Sequence, residues 1–235
     1  MNPSTFFGPD VFGQQADPAV AVARALLDAG CVRLRADEPF RLPSGWASPA
    51  YIDCRRLISF PDVRRQLLAH GLHMLQAHGA LDGLVAVAGG EASGIALAAW
   101  MAEAFGLPLQ YVRKRRTSRN QVEGVVAPGG RVLLVDDMMA GGQSKLRFCR
   151  ALMAAGAHID TLFVVFDYGT FPTDELLAPL GVSVCALATW RDVLEVWRAD
   201  GGPDPLALHD FESFLADPAG WSQAHGGLAQ NPVRP

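Results

Sequence analysis

Short apolar runs alternate with amphipathic stretches through most of this chain. Strand-length apolar runs occupy residues 84–88, 109–112, 131–135, 159–166 and 182–187, and helical spacing of apolar residues occupies residues 93–105, 143–155 and 189–199. Strands that are buried on both faces and joined by helices are typical of parallel sheets. The pattern therefore predicts an α/β fold, with a mostly parallel sheet flanked by helices. Ligands of such folds bind at the carboxyl ends of the strands.

The pattern changes near both ends of the chain. Residues 19–29 have helical spacing, and short β-like pieces at 31–34 and 40–42 follow, separated by turn signals. Helical spacing returns over residues 62–79 and again over 209–216. The last stretch is aperiodic and contains several glycines and prolines, which favours disorder. The predicted organisation is an N-terminal arm, a small α+β hood, a core domain and a disordered tail, over residues 1–18, 19–60, 61–217 and 218–235.

Composition and charge exclude several classes of protein. The chain has 235 residues, of which 50% are hydrophobic and 19% charged, so it is neither disordered nor fibrous. A net charge of −4 supplies no general attraction for nucleic acid or acidic membranes. Four widely separated cysteines predict buried thiols rather than a zinc site or a disulfide framework. With no secretory start and no long apolar run, we expect a cytoplasmic protein without nucleic-acid or membrane partners.

The most informative stretch, residues 131–157, is predicted to form a strand, an acidic pair, a glycine turn and a helix. Asp136 and Asp137 come directly after the apolar run, where the sheet edge leaves a crevice. The turn at 140–144 contains two glycines, which allow backbone N–H groups to approach a ligand closely. The following helix directs its positive end at that turn. A phosphate monoester would bind there, with the two acids holding sugar hydroxyls.

Alternatives to a phosphate site exist for this stretch. The spacing does not fit a Walker A loop or a dinucleotide-binding fingerprint. A metal-dependent phosphotransfer or receiver-like site is a third interpretation, because Asp167 ends the next predicted strand. The fourth is an acidic strand end beside a glycine turn with no ligand at all. The last two remain open at this point.

Two further segments have the composition of anion-binding loops. A glycine-rich turn at 88–94 joins a predicted strand to a helix, so its N–H groups are candidates for contacting a diphosphate. Five cations lie within residues 113–119, and arginine forks suit diphosphate oxygens. A solvated basic loop or a nucleic-acid patch would have the same composition. For the glycine turn at 88–94, the alternative is an ordinary strand-to-helix connection that binds no ligand.

The motif VLLVDDMMAGGQS resembles the ribose-phosphate binding motif of type I phosphoribosyltransferases. Four other segments resemble, in order and spacing, parts of the orotate branch of that family: ALLDAGCVRL, FRLPSGWASPAYIDCRRLISFP, VAVAGGEASGIALAAWMAEAFGLPLQYVRK and NQVEG. The resemblance spans about residues 20–200. It implies a core sheet with an N-terminal hood, a homodimer, and a part in pyrimidine nucleotide biosynthesis. The implied reaction transfers ribose 5-phosphate from 5-phosphoribosyl 1-diphosphate (PRPP) to orotate or a related nitrogen base and releases pyrophosphate.

The resemblance also implies roles for particular residues. Asp136, Asp137 and Arg116 are the implied catalytic residues. Mg²⁺ is implied as a cofactor held mainly by the PRPP diphosphate and water, without a protein metal site. The implied substrate-binding residues are Gly89, Gly90, Glu91, Ala92, Ser93, Gly94, Arg113, Lys114, Met138, Met139, Ala140, Gly141, Gly142, Gln143, Ser144, Tyr51 and Tyr168.

The chain departs from the family pattern at several of these positions. Arg116 to Arg119 replace a Lys-x-His-Gly stretch, and Ala140 stands where threonine is common. Pro43 and Tyr168 occupy positions where the family commonly has a lysine and an arginine that face orotate or PRPP. These departures leave a second hypothesis open: a regulatory protein of the same fold that binds PRPP or a nucleotide without turnover.

Overall fold

The computed structural model describes residues 17–35, 38–115, 121–171 and 173–229. Nearly all of the predicted arm at residues 1–18 lies outside these ranges, as does Arg116. The prediction that Arg116 is catalytic therefore concerns a residue that the structure does not describe.

Eight α-helices and ten strands make up the described part of the chain. The helices are α1 Pro18–Asp28, α2 Pro61–Ala77, α3 Ser93–Phe105, α4 Gln143–Ala154, α5 Thr173–Leu177, α6 Trp190–Asp200, α7 Pro205–Ala216 and α8 Pro218–Ala224, with 3-10 helices at Cys54–Ser59 and Ala178–Leu180. The strands are β1 Val32–Leu34, β2 Phe40–Arg41, β3 Ala47–Ser48, β4 Ala50–Ile52, β5 Leu84–Gly90, β6 Leu109–Val112, β7 Val122–Glu123, β8 Arg131–Met139, β9 Thr161–Asp167 and β10 Ser183–Thr189.

The main sheet has six strands in the order β10-β9-β8-β5-β6-β7. All neighbouring strands are parallel except β7, which runs antiparallel to β6. The predicted α/β fold with a mostly parallel sheet is confirmed. From β5, the chain goes to β6 on one side and later to β8 on the other, so the strand order reverses between β5 and β8. Such a reversal opens a crevice at the carboxyl ends of the two strands.

Apolar side chains cover both faces of the sheet. On β8, Leu133 and Val135 belong to the core cluster that includes residues of α2 and α3, while Val132 and Leu134 belong to the cluster that includes residues of α4. This alternation follows from the two-residue period of a strand. It explains why 131–135 is a continuous apolar run rather than an alternating one.

The N-terminal segment adds one helix and two small sheets. β1 pairs with β4, and β2 pairs with β3, both antiparallel. Helix α1 packs against α6 and β10, so this helix shares the core of the main sheet. The division between a hood at 19–60 and a core at 61–217 remains a prediction.

The predicted disordered tail is wrong for residues 218–229, which form α8 and a following turn. The buried Ser222 hydroxyl accepts a hydrogen bond from Ala47 N–H at 2.9 Å and donates one to Leu228 O at 2.6 Å. The Leu228 N–H in turn donates to Gly45 O at 2.9 Å. The buried Trp221 ring also packs edge-on against Phe214. The segment has no apolar stripe, and its anchors are this tryptophan, Ser222 and backbone contacts, so periodicity gave no signal for it.

The predicted strand at 131–135 is too short. β8 extends through Met139, so the acidic pair lies within the strand rather than after it. The pairing explains the length, because β9 continues beside β8 as far as the pair of Met139 with Asp167, whereas the pairing with β5 stops at Val135. Asp136 and Asp137 thus lie on a strand segment that has lost one of its two neighbours.

All four cysteines are unpaired, as the sequence indicated. Three of them are buried, while Cys185 is half-buried. Burial raises the pKa of Cys31 and of Cys149 to about 11. Within the described ranges, no helix has the length and apolar character needed to cross a bilayer.

Candidate active site

Two loops meet at the crevice where the strand order reverses. The first connects β5 to α3 through Glu91 and Ala92, and the second connects β8 to α4 through residues 140–142. Both loops leave the carboxyl ends of parallel strands, and both lead directly into helices. The glycine turn and the phosphate-binding turn predicted from the sequence are therefore brought to one edge of the sheet.

Asp136 points to the side of the sheet that α4 covers. Its Oδ2 lies 2.5 Å from the Nζ of Lys145 in the first turn of α4, and the two side chains are 4% and 7% exposed. Its Oδ1 accepts a hydrogen bond from Asp137 N–H at 3.0 Å. Asp136 thus belongs to a buried ion pair, and both of its carboxylate oxygens already have a donor.

Asp137 points to the opposite side, toward α3. The pKa of Asp137 is raised to about 6, chiefly by burial and then by the neighbouring Asp136 carboxylate, while Lys145 and a hydrogen bond from the Ser93 side chain act to lower it. A carboxyl group with this pKa changes its charge just below neutral pH. Perturbed carboxyl groups of this kind are common at functional sites.

The loop after β5 approaches Asp136 so closely that only glycine fits. A Cβ on Gly90 would lie 2.5 Å from the Phe148 ring and 3.0 Å from Asp136 Oδ2, and one on Gly94 would lie 2.5 Å from Val135 O and 2.8 Å from Asp136 Oδ1. These two glycines let the backbone of one loop lie against the carboxylate carried by the other strand. The connection from β5 to α3 is therefore packed directly against β8 and α4.

The turn before α4 presents backbone groups to the crevice. Gly142 is the N-cap residue of α4 and has a φ of 70°, a conformation that favours glycine. Within the described residues, no side chain caps the start of α4, and none caps the start of α3. An uncapped helix start leaves N–H donors and the positive end of the helix dipole available to an anion. Ser144 lies in the first turn of α4, as the phosphate-binding prediction requires.

The two segments predicted to bind the diphosphate face one cleft. This cleft, of about 360 Å³, is lined by Glu91, Ala92, Arg113, Lys114 and Arg115. The Lys114 N–H donates to the Glu91 carboxylate at 2.6 Å, which ties the two segments together. The Arg113 guanidinium, in contrast, is engaged by Glu123 at 2.8 Å.

The structure corrects two of the predicted substrate contacts. Tyr168 is 1% exposed and packs edge-on against Phe166 and Trp190, so the prediction that its ring contacts a base is wrong for this structure. The side chain of Met139 is also 1% exposed and belongs to the core. The rings of Phe166, Phe171 and Trp190 enclose Tyr168, and the core cluster that includes residues of α4 encloses Met139.

Several other predicted contacts are more accessible. Met138, Ala140, Gly141, Gln143 and Ser144 are half-buried along the second loop. Tyr51 is half-buried on β4, where Arg55 Nη2 donates to its hydroxyl at 3.3 Å. Their contacts with a substrate remain predictions.

Sequence reasoning missed two cations of the site, Lys145 and Arg55. Lys145 precedes the buried Phe148, Cys149 and Leu152 by three, four and seven residues, which places it on the inner face of α4. That spacing was available in the sequence and signals a buried lysine that needs an acidic partner. Arg55 binds Asp53 at 2.6 Å and also interacts electrostatically with Asp137. The interaction with Asp137 is visible only in the folded structure.

The donor set does not resemble a protein metal cage. Among the described residues, no three His, Cys, Asp or Glu side chains are grouped so that they could hold a metal ion. The Asp137 carboxylate lies on β8, and the Glu91 carboxylate lies on the loop after β5. They fit a metal that takes most of its ligands from a substrate and water.

Comparison with known proteins agrees with this geometry. The family model for the phosphoribosyl transferase domain matches residues 75–170, which run from the end of α2 to just after β9. The fold is that of the type I phosphoribosyltransferases. The orotate phosphoribosyltransferase of Dinoroseobacter shibae is 43% identical over 221 residues, covering 92% of this chain and 98% of that protein. That of Rhizobium rhizogenes is 39% identical over 223 residues, covering 93% and 96%. The chain belongs to the orotate phosphoribosyltransferase family.

Solved structures are similar over the same region. Orotate phosphoribosyltransferase from Aeropyrum pernix matches with a TM-score of 0.66 and 33% identity, covering 77% of this chain and 99% of that chain. Leishmania donovani UMP synthase matches with a TM-score of 0.74 and 28% identity, covering 85% of this chain. This chain spans only 42% of the Leishmania chain.

Proposed function

We propose that this protein transfers the 5-phosphoribosyl group of PRPP to a ring nitrogen of orotate, releasing pyrophosphate, in pyrimidine nucleotide biosynthesis. The observation that carries the proposal is the position of Asp136 and Asp137 between a glycine loop and the uncapped start of α4. Membership of the orotate phosphoribosyltransferase family supports orotate as the acceptor.

The N–H groups at the start of α4 and the Ser144 hydroxyl would bind the 5′-phosphate of PRPP. This anchors the ribose so that its hydroxyls lie over the carboxyl end of β8, where the Asp137 carboxylate accepts hydrogen bonds from them. As the bond from C1 of the ribose to the diphosphate breaks, positive charge develops on the ring. Asp136, Asp137 and Lys145 together carry one net negative charge when Asp137 is ionised, and this charge stabilises the ribosyl cation.

The leaving diphosphate would lie along the loop after β5. The backbone N–H groups of residues 89–94 are the proposed donors, and Glu91, Ala92 and Lys114 line the cleft in which the departing oxygens would gain charge. Arg113 is a weaker candidate for this role than the sequence indicated, because Glu123 already binds its guanidinium. Arg116 remains a proposed contributor.

We propose Mg²⁺ as the cofactor, held mainly by diphosphate oxygens and water, with Asp137 and Glu91 as the carboxylates nearest to it. When bound, the ion would neutralise charge on the diphosphate and so promote its departure. A homodimer and a cytoplasmic location are also proposed, on the family resemblance and the unpaired cysteines respectively.

The test is release of pyrophosphate from PRPP and Mg²⁺, with orotate and then other bases supplied in turn. We expect release that depends on orotate and that the Asp137→Asn variant loses. Asp160→Asn is the matched control, because Asp160 is an ion-paired acid at the far end of β8. Release only with a different base would overturn the choice of orotate. PRPP binding without release for any base would favour the regulatory protein instead.

A further inference from the structure

The C-terminal strap, residues 218–229, is a part of the fold that the proposed reaction does not use. Its Ser222 is fully buried, and the hydroxyl accepts a hydrogen bond from Ala47 N–H at 2.9 Å and donates one to Leu228 O at 2.6 Å. The Leu228 N–H donates to Gly45 O at 2.9 Å. Through these three hydrogen bonds, the strap holds both the turn and the second strand of the β2–β3 hairpin.

The β2–β3 hairpin needs this support. In the described part of the chain, its strands have two residues each and pair only with each other. A two-stranded hairpin on its own is marginally stable at best. The strap packs closely against it, because a Cβ on Gly45, whose φ is 88°, would lie 2.6 Å from Leu228 Cδ1, and a Cβ on Gly227 would overlap Ala47 N. The position of the hairpin therefore depends on the strap.

The hairpin is joined in turn to the carboxyl ends of β9 and β8. Trp46 is 2% exposed, and its ring packs edge-on against Phe171 with 4.7 Å between ring centroids. Phe171 packs against Tyr168 at 5.8 Å, and the Tyr168 N–H donates to the oxygen of Met139, the last residue of β8, at 2.9 Å. A continuous series of contacts thus leads from the strap to the strand that carries the acidic pair.

The direction of the proposed reaction places the acceptor base on this side of β8. The diphosphate is assigned to the loop after β5, so the ring nitrogen must approach C1 of the ribose from the opposite face. On the side of β8 away from β5 lies β9. The segments next to that end of β8 and β9 come from the hood: the hairpin with Trp46, and the 3-10 helix Cys54–Ser59, which contacts β8.

We propose that Ser222 is a positioning residue for the acceptor base. By holding the β2–β3 hairpin against the segment that follows β9, it fixes the wall beside which the base lies, without touching either substrate. The phosphate groups of PRPP are assigned to the loops before α3 and α4, whereas the hydrogen bonds of the strap reach the hairpin. This inference rests on the proposed function, because it assigns the strap a part in binding the acceptor.

A serine that only stabilises α8 would behave differently. Its loss would lower the melting temperature and leave the affinity of the folded protein for every ligand unchanged. Under our inference, its loss weakens binding of ligands that carry the base and spares ligands that do not. Orotidine 5′-monophosphate and PRPP make that comparison, because they share the ribose 5-phosphate and only the first carries the base.

The experiment is calorimetric measurement of the affinity for orotidine 5′-monophosphate and for PRPP with Mg²⁺. For Ser222→Ala we expect the affinity for the nucleotide to fall by about tenfold, because a buried hydrogen bond to the hairpin is lost. The affinity for PRPP should stay within about twofold of the wild type. In steady-state kinetics, the same change should raise KM for orotate and leave KM for PRPP and kcat nearly unchanged.

Leu228→Pro keeps the test decisive if Ser222→Ala does not fold. This change lies at an exposed position and removes the N–H that donates to Gly45 O, so we expect the same selective loss. Ser213→Ala is the matched control, because the Ser213 hydroxyl bonds within α7, to His209 O. Val196→Ala, in the core on α6, is the control for stability and should lower the melting temperature without changing either affinity.

The binding measurement does not depend on turnover. Equal affinity losses for both ligands, or none, in a folded Ser222→Ala or Leu228→Pro protein would overturn the inference. If the wild type binds both ligands but releases no pyrophosphate with any base, the proposed function fails, while the two affinities still decide the role of Ser222. If the wild type binds PRPP but not the nucleotide, the role of Ser222 and the choice of orotate are both overturned.

Discussion

The two ends of β8 each carry a buried or partly buried ion pair, and the two pairs serve different purposes. At the amino end, Arg131 binds Asp160 at 2.7 Å and also donates to the backbone oxygen of Asp82. The side chains of this pair are 22% and 32% exposed. At the carboxyl end, the Lys145–Asp136 pair is almost fully buried and has a second acid beside it. Stabilisation of the fold accounts for the Arg131–Asp160 pair but not for the buried Lys145–Asp136 pair with a second acid beside it.

The pKa values of Asp160 and Asp137 are shifted in opposite directions. Hydrogen bonding by Arg131 lowers the pKa of Asp160, so folding favours its charged form. Burial raises the pKa of Asp137 to about 6, so folding disfavours its charged form. A site that keeps a carboxylate where its charge is unfavourable sacrifices stability for chemistry. The comparison thus separates an ion pair that holds the fold from one that prepares a site.

The largest expected effect comes from removing the charge of Asp137. Asp137→Asn should lower kcat/KM for PRPP by about 10²–10³-fold, because an electrostatic contact with the developing cation is lost. Since the native pKa of Asp137 is raised, the same change should not lower stability at pH 7. Steady-state kinetics and thermal melting measure the two effects.

Asp160→Asn is the counterpart of that variant at the other end of β8. It should lower stability and leave kcat/KM within about twofold of the wild type, since the Arg131 pair is remote from the crevice. Equal losses of activity in Asp137→Asn and Asp160→Asn would contradict the division between the two ends.

Gly94→Ala should have the next largest effect. The new Cβ would lie 2.5 Å from Val135 O and 2.8 Å from Asp136 Oδ1, so the loop must move away from β8. We expect about 1–3 kcal/mol lower stability and about a tenfold weaker affinity for PRPP. Gly83→Ala is the control, because its Cβ meets no atom within 4 Å and its φ of 69° gives backbone strain alone. Unchanged PRPP affinity in folded Gly94→Ala would show that the loop contact is not needed.

The pH dependence should show the two acids separately. As pH rises through about 6, Asp137 ionises, so kcat/KM for PRPP should increase roughly tenfold per pH unit below that midpoint. The Asp137 contribution to stability is present in acid and declines as pH rises from its unfolded pKa to about 6, by at most ~3 kcal/mol.

Asp160 changes the stability with pH in the direction opposite to Asp137. Its folded pKa is lowered, so its stabilisation is present above the unfolded pKa and is lost as pH falls through the folded pKa. Asp137→Asn should remove the first stability change and retain the second, which chemical denaturation at several pH values measures. A pH profile of stability that Asp137→Asn does not alter would refute this assignment.

The smallest effect is expected for Arg131→Met. The pair with Asp160 is partly exposed, so its loss should lower the free energy of unfolding by about 1 kcal/mol. Activity per folded molecule should not change, as kinetics on the purified variant would show. A loss of PRPP affinity here would mean that the amino end of β8 also affects the site.

Much of the fold followed from local patterns. The helix predicted at 93–105 is observed as α3 over the same residues, and the run at 109–112 forms β6. Both predictions rest on periodicity, which is a property of consecutive residues. The tail at 218–229 was misjudged because Ser222 stabilises it through contacts with residues about 175 positions earlier in the chain.

The site was predictable in part for the same reason. The acidic pair and the glycine turn adjoin each other in sequence, so their common location needed no tertiary information. The burial of Tyr168 depends on Trp190 and Phe171 packing around it, and the family position alone suggested a substrate contact. The partner of Lys145 likewise became visible only when α4 packed onto β8.

By itself, the sequence determined the α/β class, the main strands and helices of the core, and the position of the two glycine-containing loops, because each depends on residues close together in the chain. The tertiary structure decided which charged side chains contact each other. It placed Lys145 on Asp136, left Asp137 in a buried site with a raised pKa, and enclosed Tyr168 in the core. Burial and pairing depend on the packing of distant segments, and the charge of a site follows from both.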